Sequence, residues 1–203
     1  MGLLRDAAAA WYNLHHKSYS ILMGHKKDSI RLLLIFRPED FPHLAGMQYT
    51  EDIDFGMRRD ELRGKKLLRW LLNDTLDDSL IEKAREWERI RGRLESIIRL
   101  EATLDGDFEI YRFSAKRLPI STKIKANYVI RNQANGDTFF VFLDEEQGVG
   151  FCKSTFRSAG IDFTFNQARL TVLVKEKFQG EDLLFSYTHP HYKPEQDIDR
   201  NHI

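Results

Sequence analysis

The sequence predicts an α+β fold, in which a helical N-terminal half carries one β-hairpin and a mainly antiparallel sheet follows. Apolar residues recur at helical spacing through most of the first half, whereas from Phe108 onward they alternate with a period of two. The second half is also rich in β-branched and aromatic residues, which favour strands. Helices followed by a run of strands are typical of α+β proteins.

The chain begins with a predicted helix and a predicted hairpin. Apolar residues at helical spacing indicate an amphipathic helix over Leu3–Lys17. Residues 18–23 then favour a strand, residues 24–28 are polar enough to turn, and Ile30–Phe36 is an almost unbroken apolar run. Such a run is typical of a strand that is covered on both faces.

A short helix that presents one histidine is predicted next. Pro38 has no N–H for a sheet ladder and suits the first turn of a helix, so the strand ends here and a helix follows over residues 39–46. Gly46 permits a left-handed exit from that helix. The imidazole of His43 titrates near neutral pH, which suits acid–base chemistry, although a core histidine satisfied by one hydrogen bond is the alternative.

Two longer helices are predicted between residues 58 and 105, where they form a helical hairpin. Leucines on one side indicate the first, over Arg58–Asn73. The capping-box spacing of Ser79 and Glu82 opens the second, which runs to residue 105. Its charges, among them Arg93, are interpreted as a solvated face with local ion pairs, and an Arg-rich RNA-binding helix is the alternative.

Five strand-like segments fill the second half, namely FEIYRF, KANYVIR, DTFFVFLD, VGFCKSTF and RLTVLVKEKF. Asn135-Gly136 predicts a hairpin turn between the second and third of them, and residues 147–150 turn the next pair. Beyond Gly180 the chain becomes polar. We therefore expect a single α+β domain over residues 1–180 and a loose, polar C-terminal tail over residues 181–203.

Composition excludes several classes of protein. With 203 residues, 42% of them hydrophobic, the chain can bury a substantial core. The 31 Lys and Arg residues balance the 31 Asp and Glu residues, so a globally basic nucleic-acid binder is excluded. A single cysteine, Cys152, allows neither an internal disulfide nor a cysteine zinc site, which fits a cytoplasmic setting. No apolar stretch reaches the length of a membrane span, so we expect no membrane partner.

Positive charge is concentrated in the sheet region. Residues 108–178 contain eleven Lys and Arg residues against seven Asp and Glu residues. Strand parity predicts that Lys125 and Arg131 share one face, and that Lys175 and Lys177 share one face. Such faces suit a phosphate backbone, but lysines also protect exposed sheets from edge pairing, and both interpretations stay open.

The strand around Cys152 carries a cation and hydroxyl groups. Its neighbours Lys153 and Ser154 point to opposite faces of a regular strand, so both line one pocket only if a bulge intervenes. No histidine is predicted beside Cys152, which is therefore interpreted as a buried free thiol rather than as a nucleophile.

Five blocks occur in a recognisable order, namely FRPEDFPHLAGM, STKIKANYVI, FVFLDEEQGVGFCKSTF, DFTFNQ and LTVLVKEKF. This set resembles the fourth phage group of the Barnase–EndoU–colicin–RelE-like (BECR-fold) nucleases. That family has an F-x-H-L-x-G-[LM] motif after a strand, then a K-[AI]-x-Y strand, an F-C-[KR]-S-x-F strand and a closing K-E-K strand. The resemblance covers about Tyr12 to Phe178, and it departs from the commoner pattern at Pro42 and Met47.

The resemblance implies a BECR-like fold and a metal-independent endoribonuclease without cofactors, often a toxin or a component of phages and mobile elements. The catalytic residues that it implies are His43, Lys125, Ser154 and Lys175. Substrate binding is expected of Tyr128, Thr164, Gln167 and Lys177, also from the resemblance, and of Arg131 from the basic sheet face. No second histidine is placed for an acid–base pair, so a lysine or tyrosine completes it.

RNA is the expected partner, and the reaction is expected to be attack of the ribose 2′-OH on the adjacent phosphate. Two alternatives stay open: a non-catalytic module that binds nucleic acid or protein, and another enzyme on the same scaffold, such as a nucleotide-handling transferase. The RNA target, the oligomeric state and an immunity or antitoxin protein are left open by the sequence.

Overall fold

An eight-stranded sheet, seven strands of which close on themselves, forms the centre of the fold and is flanked by helices from the first half of the chain. The computed structural model describes residues 2–134 and 136–194. The strands are β1 Lys17–His25, β2 Asp28–Ile35, β3 Glu109–Arg112, β4 Tyr128–Ala134, β5 Asp137–Glu146, β6 Val149–Arg157, β7 Ala168–Gln179 and β8 Asp182–Thr188. The α-helices are α1 Leu3–His15, α2 Phe41–Leu44, α3 Arg59–Leu62, α4 Lys66–Leu72, α5 Trp87–Ile98 and α6 Leu100–Asp105.

The strand order is β1-β2-β6-β5-β4-β3-β7-β8, and an additional pairing between β1 and β7 closes the sheet. The predicted α+β class is confirmed. The sheet is mixed, however, because β2 pairs with β6 in parallel while the other pairings are antiparallel. The sequence pattern predicted only a mainly antiparallel sheet, since this long-range parallel pairing leaves no local signal.

The N-terminal helix and the hairpin form as predicted. Helix α1 buries Trp11 completely, and its indole Nε1 donates a hydrogen bond to the Arg37 carbonyl at 3.0 Å. The prediction that the second hairpin strand is covered on both faces is wrong: Leu32 and Leu34 are buried, whereas Leu33 is 41% exposed. One face of β2 packs on the core and the other faces solvent, which is usual in an antiparallel hairpin.

The region between residues 58 and 105 is not a simple hairpin of two helices. The first predicted helix is divided into α3 and α4. Asp78–Lys83 is a 3₁₀ helix whose N-cap is Asp77, which accepts from the Ser79 N–H at 3.1 Å, so the predicted capping box is not formed. Ala84 is extended (ψ 139°) and separates this turn from α5. Three short helices and a 3₁₀ turn therefore precede α6.

All five strands predicted in the second half are present, as β3 to β7. The predicted hairpin turn has Gly136 in the left-handed region (φ 83°), while Asn135 lies outside the described residues. The expected loose tail is wrong for Asp182–Thr188, which pairs with β7 as strand β8. Residues 195–203 of that expected tail lie outside the described part of the chain.

Two apolar clusters lie on the two faces of the strands β3 to β6. The larger joins α1, α2, α4 and α5 to residues such as Val141 and Leu143. The smaller is largely aromatic and includes Phe140, Phe142 and Phe163. Because successive residues of β5 point to opposite faces, one strand contributes to both clusters. Within the described residues, no helix is long and apolar enough to cross a membrane.

Candidate nucleic-acid cleft

A large cleft opens where two neighbouring strands part. Strand β2 pairs with β6 only as far as Ile35 and Phe151, while β6 continues to Arg157. Helices α2 and α5 pack beside this remaining part of β6. Together with residues 121–125 and with residues 158, 159, 161 and 163 they line a cleft of about 1250 Å³.

Helix α2 presents His43 to the cleft. The Arg37 carbonyl is held by α1, and the Arg37 guanidinium makes a two-pronged ion pair with Asp40 (2.9 and 3.0 Å). Pro38 begins a 3₁₀ turn that leads directly into α2, and Gly46 ends the segment in the left-handed region with φ 85°. These are the start and stop that the sequence predicted. The side chain of His43 is exposed and lines the cleft.

A bulge in β6 brings Lys153 and Ser154 to the same cleft. Phe142 pairs with Ser154 and Leu143 pairs with Cys152, so Lys153 is an extra residue without a partner in β5. An extra residue changes the side-chain alternation of a strand. The exposed Lys153 and the buried Ser154 therefore both line the cleft, as the sequence analysis expected if a bulge intervened.

The third wall is the extended segment before β4. Lys123 and Lys125 are exposed and line the cleft, whereas Ile124 and Ala126 pack on the smaller apolar cluster. The segment is held at Asn127, whose carbonyl accepts from the Phe113 N–H at 2.8 Å and whose N–H donates to the Leu143 carbonyl at 2.9 Å. Since β4 begins only at Tyr128, the predicted common face of Lys125 and Arg131 is not formed.

The cleft is strongly basic although the chain is neutral overall. Among the described residues, three acids line it, namely Glu39, Asp40 and Glu88, against seven cations, which leaves an excess of four positive charges. The seven cations are Arg37, Arg89, Arg93, Lys123, Lys125, Lys153 and Arg157. A concave surface of one sign focuses the field and attracts ligands of the opposite charge.

The electrostatic surroundings favour the neutral form of His43. The cleft walls partly desolvate the exposed ring and lower the pKa of its imidazole below the ordinary value of 6.5, and the nearby cations Arg93 and Lys153 lower it further. The carboxylate of Asp40 acts in the opposite direction. In the same cleft, burial raises the pKa of the Cys152 thiol, so this side chain stays protonated and is no nucleophile.

Arg93 is the cleft residue that the sequence analysis misjudged. It was interpreted as part of a solvated face, but its side chain is 7% exposed. The guanidinium donates to the Leu44 carbonyl and to the Ser154 hydroxyl, both at 3.4 Å. A signal was present, because Arg93 occurs at helical spacing with the buried Ile90 and Ile97.

Lys175 and Lys177 do not line the cleft. The buried ammonium of Lys175 donates to the carbonyls of Leu104, Asp105 and Gly106 at 2.7 to 3.0 Å, at the C-terminal end of α6. Lys177 forms ion pairs at 2.7 Å with Glu101 and with the Asp105 carboxylate. Cations suit a helix C-terminus because its last carbonyls carry partial negative charge. Both lysines therefore fasten β7 to α6, which corrects the catalytic role expected of Lys175.

Among the described residues, the other residues that were expected to bind substrate also lie outside the cleft lining. Arg131 donates to Glu109 and, at 3.3 Å, to the Thr164 hydroxyl, which itself donates to Asp162. Tyr128 and Gln167, which were also expected to bind substrate, interact with other parts of the protein. Burial raises the pKa of the Tyr128 phenol. The Gln167 side chain bonds to both the N–H and the carbonyl of Ser114.

A concave surface with this excess of positive charge and an exposed imidazole is suited to a phosphate-bearing ligand. The chain matches, over residues 3–186, the family described as phage-Barnase-EndoU-ColicinE5/D-RelE like nuclease 4. It belongs to this family of phage-associated nucleases, as the motifs predicted. Comparison with curated proteins and with solved structures finds no match. No group of three or more His, Cys, Asp or Glu residues in the described part of the chain is placed to hold a metal ion.

Proposed function

We propose that this nuclease is a metal-independent endoribonuclease that cleaves RNA by transesterification in the cleft. The observation that carries the proposal is the position of His43: an exposed imidazole in a cleft whose lining has four excess positive charges. An RNA backbone supplies both groups that this arrangement suits, namely anionic phosphates and a 2′-hydroxyl proton.

In the proposed reaction His43 is the general base. A ring nitrogen of the neutral imidazole takes the proton of the 2′-OH while the 2′-oxygen forms a bond to the adjacent phosphorus. The bond from phosphorus to the 5′-oxygen of the next nucleotide breaks, and that oxygen takes a proton from solvent, while His43 later releases to solvent the proton that it took. The products are a 2′,3′-cyclic phosphate and a 5′-hydroxyl. A lowered pKa suits this role because it keeps His43 neutral at physiological pH.

Developing negative charge on the phosphate oxygens requires fixed positive charge and hydrogen-bond donors. We assign these tasks to Lys125, which is exposed in the cleft, and to the hydroxyl of Ser154. Lys153, brought to the cleft by the bulge, takes the place that the sequence analysis gave to Lys175. RNA is thus the proposed substrate, and nothing in the reaction requires a cofactor.

The experiment is cleavage of one labelled oligonucleotide sequence, made as RNA and as DNA, in excess chelator. We expect cleavage of the RNA with a cyclic phosphate end, and no cleavage of the DNA because it lacks the attacking 2′-OH. Equal cleavage of both strands would exclude transesterification. Loss of RNA cleavage in chelator, with recovery on addition of a divalent cation, would exclude the metal-independent route.

A binding module without turnover is the second candidate, and the basic cleft also supports it. It predicts salt-sensitive RNA binding with no cleavage under any condition tested, and binding that survives His43→Ala. Product analysis separates the two candidates because a cyclic phosphate end requires bond cleavage.

A further inference from the structure

Arg93 is a buried cation that no carboxylate of the described residues neutralises. Its side chain is 7% exposed, and the charged or ionisable groups that perturb its pKa are the Tyr49 phenol and the Arg89 cation, not a carboxylate. Burial lowers the pKa of this guanidinium, which nevertheless stays protonated because an arginine starts so high. A buried charge without a counterion is strongly unfavourable. A bound anion would offset this cost.

The Arg93 guanidinium is held in place by neutral groups, which do not compensate its charge. Two of its five N–H donors reach the Leu44 carbonyl and the Ser154 hydroxyl, and both distances are long at 3.4 Å. The rings of Tyr49 and Phe156 lie 5.3 and 5.9 Å from its central carbon. These contacts fix the orientation of the fork, because aromatic faces attract a cation without neutralising it.

Two of the three acids of the cleft are engaged elsewhere. Asp40 is bound in the two-pronged pair with Arg37, and Glu88 lies 3.5 Å from Arg91. Within residues 2–134 and 136–194, no carboxylate forms an ion pair with Arg93. The described part of the chain therefore supplies no carboxylate to this cation.

We infer that Arg93 and Ser154 form a binding site for a tetrahedral phosphoryl group. A guanidinium fork matches the oxygens of a phosphate, and a hydroxyl adds a further donor. If the proposed function holds, the group bound is the phosphate that is cleaved. The site adjoins the histidine, because Arg93 bonds to the carbonyl of Leu44, the residue after His43, and is one of the two cations that lower the pKa of His43.

Binding of inorganic phosphate to the full-length protein tests this site without RNA. Calorimetry and the phosphate dependence of Tm are measured for the wild type, Arg93→Met, Arg93→Lys and the control Lys27→Met, an exposed lysine of the hairpin turn. We expect phosphate to raise the Tm of the wild type and of the control. Arg93→Met should weaken phosphate binding at least tenfold, and Arg93→Lys should weaken it less, because it keeps the charge and loses the fork.

The same variants test whether Arg93 has only a structural role. Without phosphate, Arg93→Met should melt at the wild-type temperature or higher, because an apolar side chain replaces an uncompensated buried charge. If Arg93→Met does not fold, Arg93→Lys carries the comparison. Two results would overturn the assignment. One is a phosphate affinity that is equal in the wild type, Arg93→Lys and Arg93→Met. The other is no binding by the wild type when phosphate is in 50-fold molar excess or more over the protein.

Failure of the ribonuclease proposal is distinguishable from failure of this one. Phosphate binding that depends on Arg93, in a protein that cleaves no RNA, supports the site and rejects the proposed reaction. RNA cleavage that is unchanged in Arg93→Met would instead retain the reaction and overturn the assignment of the cleaved phosphate to Arg93.

Discussion

Gly46 lies directly against the stem of Arg93. A Cβ atom added to Gly46 would lie 3.2 Å from the Arg93 Cδ, which is tighter than most such contacts. The same glycine has a φ of 85° and ends the segment that carries His43. One residue therefore lets the chain turn after the histidine and lets the buried guanidinium reach Ser154.

Gly46→Ala should impair both the backbone and the cleft. A left-handed conformation costs a non-glycine residue about 1–2 kcal/mol, so the free energy of unfolding should fall by this amount. Gly148→Ala is a matched control, because Gly148 has a φ of 82° and nothing within 4 Å of the added Cβ. Urea unfolding should show similar losses for both, while RNA cleavage should fall only in Gly46→Ala. Equal cleavage by the two variants would contradict this interpretation.

The pKa of His43 should respond in opposite directions to two substitutions. Its pKa is below 6.5, and Lys153 lowers it while Asp40 raises it. Lys153→Gln should therefore raise the pKa, and Asp40→Asn should lower it further, also because it releases Arg37 from its ion pair. NMR titration of the imidazole gives both values.

The pH dependence of cleavage should follow these shifts. A general base must be unprotonated, so kcat/KM falls as the pH drops through the pKa of His43, below about pH 6.5 in the wild type. This acid limb should move to higher pH in Lys153→Gln and to lower pH in Asp40→Asn. If the acid limb of kcat/KM does not move while the NMR titration of His43 does, the limb belongs to another group.

Lys175→Met should reduce stability and leave the chemistry unchanged. The substitution removes the donor shared by three carbonyls at the end of α6, and a hydrogen bond to a charged group contributes about 1.5–3 kcal/mol. We expect a loss of this size in urea unfolding and a wild-type kcat at temperatures well below the Tm. A reduced kcat with unchanged stability would restore the catalytic role that the sequence suggested.

Lys125 should contribute to the salt dependence of RNA binding. Each phosphate contact adds about 0.7 to the slope of log K against log salt for a single strand. In a His43→Gln background, which prevents turnover, Lys125→Gln should reduce the slope by about this amount. Lys27→Gln should leave it unchanged, because Lys27 is exposed in the hairpin turn. Fluorescence anisotropy at several salt concentrations gives the slopes.

Local signals in the sequence predicted the parts of the fold that depend on neighbouring residues. Pro38 and Gly46 bound the segment that presents His43, and a period of two predicted β3 to β7. Strand β8 was not predicted, because it is held by backbone pairing to β7 while side chains such as Leu183 and Leu184 remain exposed. A strand that buries little carries little pattern.

The composition of the cleft depends on long-range contacts that no local pattern contains. Lys175 meets the end of α6 only because the sheet closes through β1 and β7. Lys153 reaches the cleft through a bulge, which the sequence allowed without requiring. Arg93 had a local signal in its spacing, but a run of charges on the same helix favoured the solvated interpretation.

The role of His43 is tested most directly by single-turnover cleavage of RNA in chelator by wild type, His43→Gln and His16→Gln. His16 is exposed, follows α1 and does not line the cleft, so its substitution controls for loss of an imidazole elsewhere. Loss of the general base should reduce the rate by about 10²–10⁴-fold in His43→Gln, with His16→Gln at the wild-type rate. Equal rates for the wild type and His43→Gln would contradict the proposed mechanism.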